Sequence, residues 1–283
     1  MTSEHSSEPA EAGPGSGTEP HHHRREAESF GADAQRYDRT RPAYPEALVR
    51  RVIAASPGRD VLDVGCGTGT EARQFQAAGC DVLGVDPDQR MAAFARSTGV
   101  PVEVARFEAW DPAGRTFDML IAGTAWHWVD PEAGAVKAAK VLRPGGLIAP
   151  FNTVRQPPAV LTEALAAAYQ RVVPDSPVSL DPGRPLLDAY RSVFAQIAGG
   201  IRATGAFSEP EQWQFDWEYT CTRPDWLDWL STQPLLSALP DEKRAGVLTA
   251  VGIAIDAMGG TFMVPQTTVA ITATRISARY QGS

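Results

Sequence analysis

The stretch that decides the fold is Val61-Leu62-Asp63-Val64-Gly65-Cys66-Gly67-Thr68-Gly69-Thr70. Its apolar, β-branched start predicts a buried strand, its glycines predict a turn, and Glu71 to Ala78 predicts the helix that follows. A strand, a glycine-rich turn and a helix in this order are typical of the first unit of a doubly wound α/β sheet that binds a nucleotide. The glycines allow a ligand to approach the backbone closely at the carboxyl end of the strand.

The spacing of the glycines indicates which nucleotide binds. A dinucleotide site requires G-x-G-x-x-G, whereas this chain has G-x-G-x-G with Thr70 at the third fingerprint position. The carboxylate of Asp63 would repel a pyrophosphate and attract a cationic group. No triphosphate-binding G-x-x-x-x-G-K-[ST] loop is present. The pattern therefore predicts S-adenosylmethionine (SAM), held by Asp63, Gly65, Cys66 and Gly67, and the alternative is a glycine turn without a ligand.

A second acidic position follows at the spacing expected for a ribose-binding carboxylate. Asp81 to Val85 predicts the second strand, which ends in Asp86-Pro87-Asp88, and Asp86 lies 21 positions after Gly65. A carboxylate about 20 residues downstream accepts hydrogen bonds from ribose hydroxyls. We assign Asp86 and Pro87 to the cofactor site. Met91 is assigned to the adenine, with the apolar core as its alternative place.

The next two predicted strands contribute further cofactor contacts. The loop after Val102 to Ala105 carries Phe107 and Glu108, which we assign to stacking on the adenine and to its exocyclic amine. The alternative for Phe107 is the core. Phe117 to Gly123 predicts the fourth strand, and Ala122 near its end is also assigned to the cofactor.

The segment Phe30 to Arg51 has the composition of a packed lead-in. It contains Tyr37 and Arg41 close to two prolines, and Glu46 to Ala55 predicts a helix. A guanidinium pairs with a carboxylate in bidentate fashion, and SAM carries a carboxylate at its methionine end. We therefore place Tyr37 and Arg41 at the cofactor, with a surface arginine packed on tyrosines as the alternative.

Several motifs together resemble one family. D-x-G-x-G-x-G resembles motif I of the class I SAM-dependent methyltransferases, and "fDmliagtAwHWvd" and "vLrPGGlia" resemble later motifs of that superfamily. With "aqrYdrtRPaYP", they resemble the small-molecule methyltransferases of the trans-aconitate methyltransferase-like type. The resemblance covers roughly residues 30 to 151. It implies an α/β, doubly wound, Rossmann-like seven-stranded sheet whose last strand is antiparallel, and it does not specify the substrate.

The rest of the chain predicts a domain with a cap. Residues 1–28 are polar and are expected to be a disordered tail, whereas residues 29–283 form the SAM-dependent methyltransferase domain. The helical, proline-rich segment of about 152–212, inserted after the fifth strand, exceeds a normal connection. We expect this cap to cover the active site and to select the substrate.

His127 is the candidate catalytic residue, because it follows the fourth strand beside the expected position of the sulfonium. An imidazole titrates near neutral pH and can remove a proton from an acceptor. The alternative is that His127 packs between Trp126 and Trp128 and orients the loop. The sequence leaves O-, N- and C-methylation open.

Composition restricts the partners. The net charge of −8 argues against nucleic acid, no apolar run approaches the roughly 18–20 residues of a membrane span, and three scattered cysteines form no metal pattern. We expect a cytoplasmic enzyme of specialised metabolism that acts on a small molecule, with no metal and an oligomeric state that the sequence does not reveal. The alternative function is a non-methylating member that uses the nucleotide pocket for cyclisation or cofactor-gated binding.

Overall fold

A computed structural model of the chain describes residues 30–176 and 186–277, so the predicted tail of residues 1–28 lies outside the described residues. The strands are β1 (Asp60–Val64), β2 (Asp81–Asp86), β3 (Val102–Val104), β4 (Phe117–Gly123), β5 (Leu142–Arg155), β6 (Glu211–Thr222) and β7 (Thr261–Thr274). The α-helices of the described ranges are α1 (Ala34–Arg39), α2 (Glu46–Ala55), α3 (Thr70–Ala77), α4 (Gln89–Ser97), α5 (Pro131–Val141), α6 (Ala159–Val172), α7 (Leu186–Ala203), α8 (Arg223–Ser231), α9 (Pro234–Ser237) and α10 (Asp241–Ala257). Three short 3-10 turns also occur there, at Phe30–Asp33, Phe107–Ala109 and Trp126–Trp128.

The seven strands form one sheet in the order β3-β2-β1-β4-β5-β7-β6. The pairs from β3 to β5 are parallel, whereas β7 runs antiparallel to both β5 and β6. The predicted seven-stranded sheet with an antiparallel last strand is confirmed. Since the order reverses between β1 and β4, a crevice forms at the carboxyl ends of these two strands, where doubly wound sheets bind ligands.

Helices cover both faces of the sheet and bury its apolar strands. On one face, α2, α3 and α4 pack against a core that includes Val52, Phe75 and Phe151. On the other face, α5 and α7 pack against a core that includes Ile148 and Phe194. Parallel strands buried on both faces carry nearly continuous apolar runs, which explains the composition of β1 and β4.

A third apolar cluster lies beyond the carboxyl end of β5. It joins α6, α8, α9 and α10 to the neighbouring ends of β6 and β7, with Leu161, Trp226, Val251 and Phe262 among its buried members. Because β6 and β7 pair beyond the last residue of β5, these helices stand over the crevice edge of the sheet. We refer to α6, α8, α9 and α10 as the cap layer.

The helices that form the cap layer are not the ones expected from the predicted cap segment of about 152–212. Of the two helices in that segment, only α6 joins the cap layer, while α7 packs on the sheet through Phe194, Ile197 and Ile201. The remaining helices of the layer come from between β6 and β7. The physical reason is that the apolar stripe of α7 fits the flat face of the sheet as well as it would fit another helix. The role of the cap in substrate selection stays a prediction.

Candidate functional site

Two glycines of the turn after β1 have different local tasks. A Cβ atom added to Gly65 would lie 2.6 Å from the Cβ of Ala125, so this position must be small for the loop after β4 to pack on it. A Cβ added to Gly67 would meet no atom within 4 Å, and Gly67 has φ +53°. The backbone at Gly67 therefore faces open space in a conformation that favours glycine, which suits the close approach of a ligand.

Asp86 links the ends of β1 and β2. Its Oδ2 accepts a hydrogen bond from the backbone N–H of Gly67 at 2.8 Å, and its Oδ1 accepts from the N–H of Asp88, beyond Pro87, also at 2.8 Å. Burial raises the pKa of Asp86 to about 6, although these two backbone donors favour the charged form. The carboxylate predicted to bind the ribose thus lies beside the open face of the glycine turn.

Asp63 is wholly buried, and neither of its carboxylate oxygens has a hydrogen-bond partner among the described residues. Burial raises its pKa well above the ordinary value, and the nearby carboxyls of Glu71 and Asp86 raise it further. Glu71 accepts a hydrogen bond from the N–H of Gly123 at 3.1 Å, yet burial still raises its pKa to about 8. A buried carboxyl without a donor has a high energetic cost that a cationic ligand would relieve.

The residue after β4 is held in a strained conformation beside this acidic group. Thr124 has φ +53°, its N–H donates to the carbonyl of Phe151 at 2.7 Å, and its hydroxyl lies 3.2 Å from that of Tyr44. A non-glycine residue in the left-handed region costs on the order of 1 kcal/mol and is frequent at functional sites. The sequence-based interpretation missed Glu71, Tyr44 and Thr124, because no spacing marks them.

The lead-in segment contacts both the cofactor side and the cap layer. The guanidinium of Arg41 lies over the ring of Tyr37 at 4.2 Å, and its Nη1 donates to the hydroxyl of Thr232 at 3.4 Å. Asp38 pairs with Arg73 at 2.6 Å, and Arg73 donates to the carbonyl of Thr68 in the glycine turn at 2.7 Å. A direct chain of polar contacts therefore connects α1 to the turn after β1.

Four apolar members of the predicted cofactor set are buried, namely Cys66, Met91, Phe107 and Ala122, whereas Pro87 is exposed. The ring of Phe107 packs against that of Trp126, with centroids 5.9 Å apart, within the core on one face of the sheet. Glu108 accepts a hydrogen bond from the N–H of Asp130 at 3.0 Å and so joins the loops after β3 and β4. These residues lie in the core and in the loops at the crevice side of the sheet, and their contacts with adenine stay a prediction.

His127 lies in the 3-10 turn after β4, where its ring packs against Trp128 with centroids 4.7 Å apart. Its Nδ1 is buried and has no hydrogen-bond partner among the described residues. Burial lowers the pKa of His127 to about 4, so the imidazole is neutral at pH 7. A base this weak removes a proton poorly near neutral pH, whereas a neutral ring can still orient an acceptor by hydrogen bonding.

Among the described residues, no helix combines the length and the hydropathy needed to cross a membrane. The residues gathered at the carboxyl ends of β1, β2 and β4 also include no phosphate-binding lysine. The acidic set fits a cationic adenosine derivative, since Asp63 offers two unpartnered oxygens and Gly67 leaves room above the turn.

Comparisons with known proteins agree with this geometry. Residues 61–146 match the family of methyltransferase domains. A methyltransferase of undefined activity from Mycobacterium tuberculosis H37Rv is 36% identical over 121 residues, which cover 42% of this chain and 49% of that protein. The chain thus spans about half the length of the curated relatives that it matches at this identity.

Longer matches cover most of the chain. A trans-aconitate 2-methyltransferase from Paracidovorax citrulli is 28% identical over 236 residues, which cover 78% of this chain and 85% of that protein. The structure of a putative type II methyltransferase from Anaeromyxobacter dehalogenans superposes with a TM-score of 0.58 at 26% identity, covering 83% of this chain and 97% of that one. Fold, motif positions and relatives together support a class I SAM-dependent methyltransferase.

Proposed function

We propose that this protein transfers the sulfonium methyl group of SAM to a small organic acceptor. The observation that carries the proposal is the buried carboxyl of Asp63, which has no donor among the described residues and adjoins Glu71. A pyrophosphate at this place would add negative charge beside these carboxyls, whereas the positive sulfonium and ammonium groups of SAM would compensate for the charge of the carboxyls. The long matches to enzymes named trans-aconitate 2-methyltransferase support a small molecule as the acceptor.

Each part of the site has a proposed task. Asp86 accepts hydrogen bonds from the ribose hydroxyls, and the turn at Gly65 and Gly67 approaches the cofactor with its backbone. Arg41, seated on Tyr37, pairs with the carboxylate of the methionine end. The cofactor supplies an already activated methyl group, so the chain contributes mainly by positioning the acceptor and excluding water.

His127 is proposed to orient the acceptor by a hydrogen bond instead of acting as a strong base. Its neutral state and its unpartnered Nδ1 support this task. An acceptor with an ionised or lone-pair nucleophile at neutral pH would not require a base. We extend the proposal to an acceptor from specialised metabolism and to a cytoplasmic enzyme.

Calorimetry with S-adenosylhomocysteine (SAH), followed by turnover of labelled SAM with a panel of small acceptors, tests this function. We expect SAH to bind the full chain and Asp63→Asn to weaken the binding of SAM more than that of SAH, since only SAM carries the sulfonium charge. Asp81→Asn, at the exposed start of β2, is the matched control. Absence of SAH binding by the native protein would overturn the proposal.

A further inference from the structure

A second site is indicated where β5 and β7 reach the cap layer. Arg155, the last residue of β5, pairs in register with Gln266 of β7. Residues directly opposite in an antiparallel pair project from the same face of the sheet, so these two side chains are neighbours. The guanidinium of Arg155 lies over the ring of Trp229 in α8, 4.7 Å from its centroid. We call Arg155, Gln266 and Trp229 the cap corner.

The cap corner contains several buried polar atoms without a partner. The Nε of Arg155, the indole Nε1 of Trp229 and both amide heteroatoms of Gln266 have no hydrogen-bond partner among the described residues. Native proteins satisfy nearly all such groups, because an unmade buried hydrogen bond is costly. Three neighbouring side chains from β5, α8 and β7 therefore each carry a buried donor without a partner.

The charge at the cap corner is uncompensated as well. Within residues 30–176 and 186–277, no carboxylate lies within 4.0 Å of the guanidinium of Arg155 or of Arg41. Burial lowers the pKa of Arg155, and the positive charge of Arg41 lowers it further. The phenol of Tyr219 raises the pKa of Arg155, but it is a neutral group whose own pKa burial raises to about 12. A partly buried cation facing a second cation favours an anionic ligand.

The cap corner is separate from the cofactor carboxyls. In the sheet register, Asp63 is level with Ile121, and Ile121 is level with Ala149 of β5. Arg155 lies six positions beyond Ala149, which corresponds to roughly 20 Å of strand at about 3.3 Å per residue. The corner also contacts α8 of the cap layer, whereas Asp63 and Asp86 lie at the level of the glycine turn.

We propose that the cap corner binds a carboxylate of the methyl acceptor, which makes the substrate an organic acid. This inference rests on the proposed methyl transfer and names the substrate class of that site. Arg155 provides the planar fork that pairs with a carboxylate, and Gln266 and Trp229 provide further N–H donors. The anion held there anchors the acceptor at the cap, while Arg41 remains for the carboxylate of the cofactor.

Ligand binding to the SAH-saturated full chain tests the cap corner, with calorimetry as the measurement. The probes are two matched pairs, succinate against succinamide and benzoate against benzamide, which differ in charge but hardly in shape. We expect at least one of the acids to bind and its amide to bind at least 10-fold more weakly. Arg155→Met should weaken the binding of the acid by about 10- to 100-fold. Arg155→Lys should recover part of this affinity, because lysine keeps the positive charge but lacks the planar guanidinium.

Gln266→Glu provides a sharper test, because it places a carboxylate opposite Arg155 within the protein. This variant should melt at a higher temperature than the native chain and lose the acid probe. Arg51→Met is the matched control: it removes an exposed arginine that is stacked on Trp213 at 4.1 Å, outside the cap corner, and should leave probe binding unchanged.

The affinity for SAH separates failure of this inference from failure of the proposed function. Native SAH affinity in Arg155→Met and Gln266→Glu, together with lost acid binding, supports the cap corner. Equal binding of acids and amides, no acid binding by the native chain, or unchanged acid binding in Arg155→Met or Gln266→Glu would overturn it. Loss of SAH affinity in Arg155→Met would assign the arginine to the cofactor instead and overturn it too.

Discussion

The Oδ2 atom of Asp86 accepts a hydrogen bond of 2.8 Å from the backbone N–H of Gly67. The other oxygen of the same carboxylate binds the N–H of Asp88, so one side chain fixes both the turn after β1 and the loop after β2. A carboxylate oxygen has two lone pairs, and the group therefore retains acceptor capacity for a ribose. Asp86 organises the site before it binds a ligand.

Replacing Asp86 by asparagine should weaken cofactor binding. The amide of Asp86→Asn offers one acceptor oxygen for two backbone donors, so either the turn or the loop loses its partner. We expect the Kd for SAH to rise about 10- to 100-fold, which corresponds to about 1.5–3 kcal/mol. Calorimetry measures this change, and native affinity in the variant would contradict the organising role.

The stability of the ligand-free protein should depend on pH through Glu71. Its pKa is raised from 4.5 to about 8, so the folded state holds a proton that the unfolded chain releases between these values. The stabilising contribution is thus fully present below pH 4.5 and is lost as the pH rises through 8. We expect Glu71→Gln to raise Tm at pH 8.5 by about 2–6 °C and to leave it nearly unchanged at pH 5.

Circular dichroism melts of the ligand-free chain at several pH values measure this dependence. Glu46→Gln, at an exposed position in the first turn of α2, is a suitable control because it also removes one acidic group near a helix start. Parallel melting curves for Glu71→Gln and the native chain across this pH range would contradict the pKa assigned to Glu71.

His127 should not titrate near its ordinary pKa. Because burial lowers the pKa to about 4, the imidazole stays neutral from pH 5.5 to 8. Nuclear magnetic resonance of the histidine side chains, with His127→Gln to identify the signal, should show a constant chemical shift over that range. A midpoint near pH 6.5 would instead favour a general base, and the pH–rate profile would then show the same midpoint.

Because α7 packs on the sheet, truncating its side chains should destabilise the protein by different amounts along the helix. Phe194 is buried in the core on that face, whereas Leu186 is 42% exposed at the helix start. We expect Phe194→Ala to lower the free energy of unfolding by about 3–5 kcal/mol and Leu186→Ala by less than about 1 kcal/mol. Denaturant titration measures both values. A small and similar loss of unfolding free energy in both variants would mean that α7 does not contribute to the core.

The meeting of the glycine turn, Asp63 and Asp86 at one edge of the sheet could be predicted from sequence, because its signals are local. The glycine turn, Asp63 and Asp86 follow from one strand, one turn and one spacing, and parallel strands bring their carboxyl ends to the same edge. The antiparallel β7 followed from the resemblance to a known family. Glu71 escaped notice because an acidic residue in the first turn of a helix usually faces solvent and stabilises the helix dipole.

The cap corner could not be predicted, because its contacts join distant parts of the chain. Arg155 and Gln266 are 111 positions apart in sequence and meet only through the register of β5 with β7. Trp229 reaches them from a helix between β6 and β7. Sequence patterns reveal amphipathic helices but not the surface on which each one packs, which is why α7 was assigned to the cap.

The insertion of β7 between β5 and β6 has a consequence for how the chain is made. Until Thr261–Thr274 leaves the ribosome, β6 has no neighbour in the sheet, and β5 has one unpaired edge. The space between β5 and β6 in the finished sheet, about 9–10 Å or twice the spacing of adjacent strands, is filled only by this last strand. Gln266 is made in that last strand, so Arg155 can meet it only after β1 to β6 have been synthesised, and the cap corner is the last of the sites described here to form.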